Sequence, residues 1–139
     1  MKKQLLLSGI ILAANMLLLQ SPAQARSSVL QDPELVEFDC KLTMKQAKKA
    51  IVSGLRGRQW THKVKKPGLI GGRILVRGKH TLWVDIKYTR TYFDIDYRGS
   101  DNLNYHVKDN GVKYLHPNAN SWMNNIKNDI RNAAYDMCP

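Results

Sequence analysis

Two carboxylates stand two residues apart in a stretch of alternating polar and apolar residues. Asp94 and Asp96 alternate with Phe93, Ile95 and Tyr97, a period typical of a strand, so both carboxylates should leave the same sheet face about 7 Å apart. Such a pair suits an acid and a base acting across a water molecule, as in inverting sugar hydrolysis. Carboxylate pairs are common on strands, however, and nothing in the sequence predicts a cleft around them. A cell-wall glycan hydrolase is therefore the least favoured alternative.

Other catalytic chemistries lack a residue pattern in this chain. The histidines are His62, His80, His106 and His116. None of them has metal-binding spacing to another histidine or to a cysteine. His80 alternates with Leu82 and Val84, which is typical of a half-buried structural histidine. Because the chain also has no Gly-x-Ser-x-Gly segment, we predict a protein that is not an enzyme and has no catalytic residue, metal site or cofactor.

Aromatic and charged residues share the polar side of the alternating segments. The residues predicted on this side are Arg73, Arg77, Trp83, Asp85, Lys87, Tyr92, Asp94 and Asp96. Aromatic faces stack on sugars or protein surfaces while charges set orientation, so the two arginines, Trp83 and Tyr92 are candidate binding residues. Alternatively, this is an ordinary solvated sheet face with cross-strand ion pairs, such as Lys87 with Asp94 or Asp96.

A polar segment over residues 99–122 supplies a second set of candidates. Loops on a rigid scaffold often carry function, and this one combines hydroxyl, amide and imidazole groups with aromatic surface. Its candidate recognition residues are Ser100, Asn102, Asn104, Tyr105, His116 and Asn118. In the alternative interpretation, Asn102 and Asn118 only satisfy backbone groups at a turn and at a helix cap.

Basic residues are concentrated in one continuous stretch between residues 45 and 66. They are Lys45, Lys48, Lys49, Arg56, Arg58, Lys63, Lys65 and Lys66. The whole chain has 22 Lys and Arg residues against 11 Asp and Glu, a formal net charge of +11. This positive field attracts polyanions, including anionic lipid headgroups, lipopolysaccharide phosphates and nucleic acid. Solubility alone is the competing explanation of the charge.

The first 25 residues have the features of a secretion leader. Lys2 and Lys3 precede an apolar run over residues 5–19, and Ala23 and Ala25 form an Ala-x-Ala cleavage site. The apolar run is too short to be a convincing membrane span. We therefore expect cleavage after Ala25 and a periplasmic or secreted protein without a transmembrane anchor. Export also makes cytoplasmic nucleic acid an improbable partner.

Cys40 and Cys138 are the only cysteines of the chain. In an oxidising compartment, an even pair with nothing else to join predicts one disulfide. The bond would close a loop of about 100 residues and tie the two ends of the domain together. Acylation of Cys40 is not expected, because lipoprotein cysteines directly follow the apolar leader, whereas Cys40 lies well downstream of it.

The residue periods predict two helices. Thr43 and Gln46 have the spacing of a capping box at the start of the first helix, and Gly57 can end it by adopting a left-handed conformation. Asn118 or Asn120 can cap the second helix. Apolar stripes occur in both segments and predict one buried side for each helix. The apolar stripe of the second helix consists of Trp122, Ile126, Ile130, Ala133 and Met137.

Between the helices, the period changes to alternation from Gln59 to about Tyr97, with a further short edge strand near residues 103–107. The expected fold is α+β, an antiparallel meander of three to four strands with an N-terminal and a C-terminal helix packed on one face. The predicted organisation is a cleaved signal peptide over 1–25, a mobile N-terminal segment over 26–39 and a single domain over 40–139.

Three spaced motifs carry a resemblance to a known group of proteins. They are Arg77-x-x-His80-x-x-x-Val84-Asp85-Ile86-x-Tyr88, then Tyr92-x-x-Ile95-x-Tyr97-x-x-Ser100-x-Asn102-Leu103-x-Tyr105, and His116-Pro117-Asn118-x-Asn120-x-Trp122. Over residues 47–130 the chain is similar to small, uncharacterised proteobacterial envelope proteins, many of them lipoproteins. The resemblance implies an envelope role without catalytic residues. This chain lacks the leader-adjacent cysteine of the lipoprotein members, so a membrane anchor does not follow.

The leader and the charge together predict a small, basic binding module of the bacterial envelope. Its expected partner is an anionic envelope component or an envelope protein, because the positive surface must face something outside the cytoplasm. A structural or assembly role in the envelope is the competing function.

Overall fold

The computed structural model describes residues 26–139, and the predicted signal peptide lies outside the described residues. Two helices and eight strands follow one another in these residues. In chain order they are β1 (Ser28–Val29), β2 (Val36–Glu37), α1 (Met44–Gly57), β3 (Thr61–Lys66), β4 (Leu69–Val76), β5 (His80–Tyr88), β6 (Tyr92–Asp101), β7 (His106–Val107), β8 (Lys113–Leu115) and α2 (Pro117–Tyr135). The predicted α+β class, with a helix at each end of the meander, is confirmed.

α1 begins at the predicted capping box. The Thr43 hydroxyl accepts from the Gln46 backbone N–H at 3.0 Å, and the Gln46 side-chain oxygen accepts from the Thr43 N–H at 2.9 Å. The prediction that Gly57 is left-handed was wrong, because Gly57 is still helical. Gln59 adopts the left-handed conformation instead, with φ 64°. The reversal falls two residues later because the Arg58 N–H still bonds to the Leu55 carbonyl.

Four strands, β3 to β6, form the predicted antiparallel meander. β2 joins its outer edge, so the five-stranded sheet has the order β2-β6-β5-β4-β3. Ile70, Ile86 and Ile95 lie opposite one another across β4, β5 and β6, which assigns them to one face. The other face carries the charged residues.

Both helices cover the apolar face of this sheet. Its buried side chains and those of the helices form one core, which includes Ala47, Ile51, Leu55, Ile70, Leu82, Val84, Ile86, Phe93, Ile95, Met123, Ile126 and Ile130. Burying each large side chain contributes roughly 1.5–3 kcal/mol. The helices touch most closely at Gly54, where an added Cβ would lie 2.8 Å from the Ile130 backbone nitrogen.

α2 begins differently from the prediction. His116 is the N-cap, and its Nδ1 accepts from the Asn118 backbone N–H at 3.1 Å. Asn118 and Asn120 are already helical, because Pro117 can occupy the first helical position, where no backbone donor is needed. The Asn120 side chain instead donates to the Val29 carbonyl at 2.9 Å and holds β1 against the helix.

Residues 26–39, predicted as a mobile segment, include two short strands paired to the rest of the chain. β2 pairs with β6, and β1 pairs with β8 in a small sheet of order β1-β8-β7. Asp32 accepts from the Tyr97 backbone N–H at 2.7 Å. The paired structure therefore begins before Cys40. The short strand predicted near 103–107 is β7, which joins this small sheet instead of the edge of the large one.

The predicted disulfide between Cys40 and Cys138 is present, with the two Cα atoms 5.8 Å apart. Cys40 precedes α1 and Cys138 follows α2, so the bond joins the start of one helix to the end of the other. Neither helix in residues 26–139 is both long and apolar enough to cross a membrane.

Candidate functional site

One end of the molecule carries a shallow cavity of about 430 Å³, which we term the lysine notch. It forms where the first turns of α1 approach the turn between β3 and β4. Its lining residues are Met44, Lys45, Lys48, Val64, Lys65, Lys66, Pro67 and Tyr88. Lysines from two elements that are separated in the chain therefore surround an apolar floor.

Most of the positive charge around the lysine notch has no internal partner. Lys65 donates to Asp85 at 2.6 Å, whereas within residues 26–139 no carboxylate lies in ion-pair range of Lys45, Lys48 or Lys66. The sequence explains this imbalance, because no acidic residue occurs between Asp39 and Asp85. The positive charge of three lysines is available to a ligand.

The floor of the lysine notch exposes apolar surface. Met44 is 37% exposed, although the other apolar residues of α1 are largely covered. Val64, the apolar residue of β3, is 42% exposed. Val64 lies opposite the buried Ile70, on the helix-covered face, but it belongs to the edge strand β3. A ligand that combines an anionic group with an apolar part would cover both kinds of surface.

The open face of the sheet holds the predicted mixture of aromatic and charged residues. Arg73 and Trp83 lie opposite each other and line a groove of about 200 Å³ together with Arg98. Asp85 accepts from Lys65 and lies 3.4 Å from the Arg98 Nε. The predicted pairing of Lys87 with Asp96 is confirmed at 3.5 Å. Most charges on this face are therefore neutralised within the sheet.

Asp94 and Asp96 leave this same face of β6, as their spacing predicted. Partial desolvation, together with the neighbouring charge of Asp96, raises the pKa of Asp94 above its usual value, while Lys87 opposes the shift. A raised carboxyl pKa is one property of a general acid. The two carboxylates flank Lys87. Neither of them lines the lysine notch or the cavity at the other end of the sheet, which is described below.

Three other predicted binding residues have structural contacts. Tyr92 pairs with Glu37 where β6 meets β2. Ser100 lies 2.7 Å from the Tyr97 hydroxyl, and Tyr97 stacks on Tyr105 with ring centres 5.3 Å apart. Burial raises the pKa of Tyr97, against the opposing hydrogen bond from Ser100.

An irregularity in β6 brings Tyr97 and Ser100 to the same face. Val84 lies opposite Tyr97, but Trp83 lies opposite Gly99, so Arg98 is an extra residue in the ladder. A bulge of this kind reverses the alternation beyond it. Ser100 therefore turns toward the helix-covered side, opposite Leu82, which residue alternation alone does not predict.

The opposite end of the molecule holds a second cavity, of about 260 Å³, which we term the histidine pocket. It lies between the β4–β5 turn, the segment after β6 and the start of α2. Its lining residues are Val76, Arg77, His80, Leu103, His116, Asn118 and Trp122. Three predicted binding residues, Arg77, His116 and Asn118, meet here. No cluster of three His, Cys, Asp or Glu residues in the described part of the chain is placed to hold a metal ion.

Asn102 supports the histidine pocket from behind. It has a positive φ of 56°, its carbonyl lies 2.6 Å from His80 Nδ1, and its side-chain amide donates to the Lys79 carbonyl at 3.4 Å. These contacts agree with the interpretation of Asn102 as a residue that satisfies backbone and turn groups.

The residue pattern predicts a half-buried structural histidine at His80 and an apolar helix stripe that includes Trp122, and it does not group these residues in one site with Arg77 and His116. The available signal was spacing, since His80 follows Arg77 across a tight turn and Trp122 lies about 1.7 turns after His116 at the start of α2. The basic residues of α1 and β3 were also recognised in the sequence, but the convergence of these two elements around an apolar floor was not predicted.

Comparisons with known proteins assign no function to the chain, so the function is argued from the geometry of the two cavities. No family model matches the chain, and neither the curated proteins nor the solved structures give a significant match.

Proposed function

We propose that the protein is an exported binding module whose lysine notch recognises an anionic component of the bacterial envelope. The observation that carries the proposal is the convergence of Lys45, Lys48 and Lys66, without carboxylate partners, around exposed apolar residues. Phosphate groups suit the notch, because lysine binds phosphate as a mobile point charge that requires no fixed geometry.

The apolar floor distinguishes this surface from a merely soluble one. Lysines that serve solubility alone need no neighbouring apolar surface, whereas Met44 and Val64 lie exposed between the lysines. An anionic amphiphile would place its charged groups on the ammonium groups and its hydrocarbon on the floor. Burial of that apolar surface adds a favourable contribution that salt does not screen.

The compartment in this proposal rests on the leader sequence and on the resemblance to envelope proteins. The disulfide is compatible with an oxidising environment, where such bonds persist. The proposal includes no catalytic step, and the charged face of the sheet serves as a salt-bridged surface.

Binding to vesicles of phosphatidylglycerol and phosphatidylcholine tests the proposal. Replacing Lys45 and Lys48 with Gln should weaken binding by about 2 kcal/mol, roughly thirty-fold, since each lysine near an anionic surface contributes about 1 kcal/mol. Binding of the unaltered protein should also fall steeply between about 0.01 and 0.15 M salt, as the Debye length shortens from about 30 to 8 Å.

The matched control replaces Lys113 and Lys127 with Gln. It changes the net charge by the same amount at residues outside the lysine notch. Equal losses in both double variants would mean that total charge, and not the notch, attracts the vesicles. Absence of vesicle binding at low salt, with recovery of one protein from envelope extract, would favour the structural or assembly role.

A further inference from the structure

We propose that the histidine pocket is a second ligand site, which binds a single sugar ring carrying a carboxylate or phosphate group. This site is separate from the lysine notch and does not depend on its function. The paired residues Val76 and His80 lie at one end of β4 and β5, and Leu69 and Lys87 lie at the other. Seven residues of extended chain place the two sites roughly 23 Å apart along the sheet.

The size of the pocket sets the size of the ligand. At about 260 Å³ it is slightly smaller than the cavities of 300–1,000 Å³ that accept drug-sized molecules. One six-membered ring with its substituents is an appropriate occupant. Trp122 supplies an aromatic wall for the apolar C–H face of a sugar, and the buried Leu103 supplies the apolar base.

The hydrogen bonds of the two histidines assign different roles to their free nitrogens. His80 Nδ1 lies 2.6 Å from the Asn102 carbonyl, which only accepts, so Nδ1 carries the proton and the neutral ring leaves Nε2 as an acceptor. His116 Nδ1 accepts from the Asn118 N–H, so its neutral ring carries the proton on Nε2 and leaves a donor. The pocket therefore offers one acceptor and one donor from two imidazoles.

Arg77 completes the set with a charged donor. A planar guanidinium binds a carboxylate or phosphate through two parallel hydrogen bonds. None of the residues that line the pocket is acidic, so the anion meets no opposing charge there. A fully deprotonated inorganic anion such as sulfate, however, has no proton for His80 Nε2. A ligand with an anionic group and a hydroxyl satisfies all three residues, and sugar acids and sugar phosphates have both.

The pocket is held in shape without a ligand. Arg77 and Gly78 have positive φ values of 54° and 65°, and the Lys79 N–H donates to the Val76 carbonyl at 3.1 Å, as in a type I′ turn. Arg77 occupies a conformation that disfavours residues other than Gly, Asn and Asp. The His116 N–H donates to the Leu103 carbonyl at 2.7 Å and connects the helix start to the loop. Preorganisation of this kind lowers the entropic cost of binding.

Titration calorimetry with four probes tests the proposal on the full exported protein. Glucuronic acid and glucose 6-phosphate should bind, whereas glucose and inorganic sulfate should bind at least tenfold more weakly, because glucose lacks the anionic group and sulfate lacks the hydroxyl. Preference for one of the two anionic sugars distinguishes a carboxylate ligand from a phosphate ligand. Equal binding of all four probes, or no binding at about 10 mM, would overturn the proposal.

Variants and a spectroscopic signal locate the binding. Arg77→Asn should weaken binding of the anionic sugars at least tenfold, while the new residue still tolerates the positive φ of this position. Arg73→Asn removes the same charge from the open sheet face and should have no effect. Among the three tryptophan indole N–H signals in an NMR spectrum, only that of Trp122 should shift on titration. A shift confined to Trp83 would move the site to the sheet groove and reject the histidine pocket.

The two proposals can fail separately. Replacing Lys45 and Lys48 with Gln should leave sugar binding unchanged, and Arg77→Asn should leave vesicle binding unchanged. Loss of both activities in either variant, with an unchanged melting temperature, would contradict two independent sites.

Discussion

The lysine notch and the histidine pocket hold basic groups at opposite ends of the same sheet, but they hold them in different ways. The ammonium groups of Lys45, Lys48 and Lys66 in the notch have no carboxylate in ion-pair range among the described residues, and each stands at the end of a flexible side chain. The pocket histidines are fixed by the Asn102 carbonyl and the Asn118 N–H. Mobile charges attract any anionic surface, whereas oriented donors and acceptors select one ligand geometry.

The two ends are also stabilised by different means. The disulfide joins the start of α1 to the end of α2, at the end of the molecule that carries the lysine notch. The histidine pocket lies far from that bond and depends on hydrogen bonds among a turn, a loop and a helix cap. The lysine end therefore has a covalent link as well as local hydrogen bonds, whereas the histidine end depends on local backbone geometry.

Removing the disulfide should have the largest effect on stability and should affect the two ends differently. Replacing Cys40 and Cys138 with Ser opens a loop whose ends are 98 residues apart, which in the chain-entropy model costs about 4–5 kcal/mol. Chemical denaturation should show this loss. Hydrogen exchange should show that protection falls first at the start of α1 and the end of α2, before the His80–Asn102 region. A uniform loss of protection would contradict the difference between the ends.

The contact between the helices connects the two ends, and Gly54→Ala should weaken it. The added Cβ would collide with the side chain of Ile130 and lie 3.0 Å from its Cα, so the helices must separate. Overpacking of this kind costs about 1–3 kcal/mol. Gly57→Ala is the matched control, because nothing lies within 4 Å of its added Cβ and its φ is not positive.

Gly57→Ala should be neutral or stabilising by up to about 1 kcal/mol, because alanine restricts the unfolded chain. Thermal melting of both variants measures the difference. If Gly54→Ala were as stable as Gly57→Ala, the close approach of α1 and α2 would be wrong, and with it the relative placement of the two ends.

Asp94→Asn should have the smallest effect, on the open face between the two ends. A folded-state pKa above the unfolded one means that the folded protein binds this proton more tightly, so stability falls as pH rises through the interval between those values. Replacing the Asp94 carboxyl with the amide of Asn removes this pH-dependent loss of stability. The variant should be more stable at neutral pH by less than about 1 kcal/mol, because a partly exposed charge is screened.

The advantage of Asp94→Asn should vanish below the usual pKa of an aspartate, where the carboxyl is protonated in both states. Denaturation at neutral and acidic pH measures it, and Asp109→Asn in an exposed turn is the control. An advantage that does not change with pH would show that desolvation and the Asp96 charge are not its cause. Turnover of purified peptidoglycan that disappears in Asp94→Asn would instead revive the glycan hydrolase.

Local patterns in the sequence were sufficient for the elements of the fold. The Thr43–Gln46 capping box, the meander and the apolar stripes depend on interactions within a few residues, and the two cysteines left only one pairing. Structure that the sequence did not predict occurs where a distant partner decides it. Residues 26–39 have no period of their own, yet β1 and β2 pair with strands far along the chain.

The helix caps show the same division. The sequence has asparagines in favourable positions near the start of α2, but Asn120 is needed by β1 and His116 takes the cap. Gly57 is free to be left-handed, but the chain reverses only at Gln59. In both places, several residues satisfy the local rule, and tertiary contacts select one of them.

By itself, the sequence determined the basic charge, the disulfide partners, the helices and the alternating strands, because composition and short-range periods specify these directly. Only the tertiary structure decided which of the candidate residues meet. The lysine notch joins α1 to β3, and the histidine pocket joins Arg77, Leu103 and Trp122 from three segments. Such cavities depend on strand register, the Arg98 bulge and the packing of α1 against α2, and these arise from contacts between residues far apart in the chain.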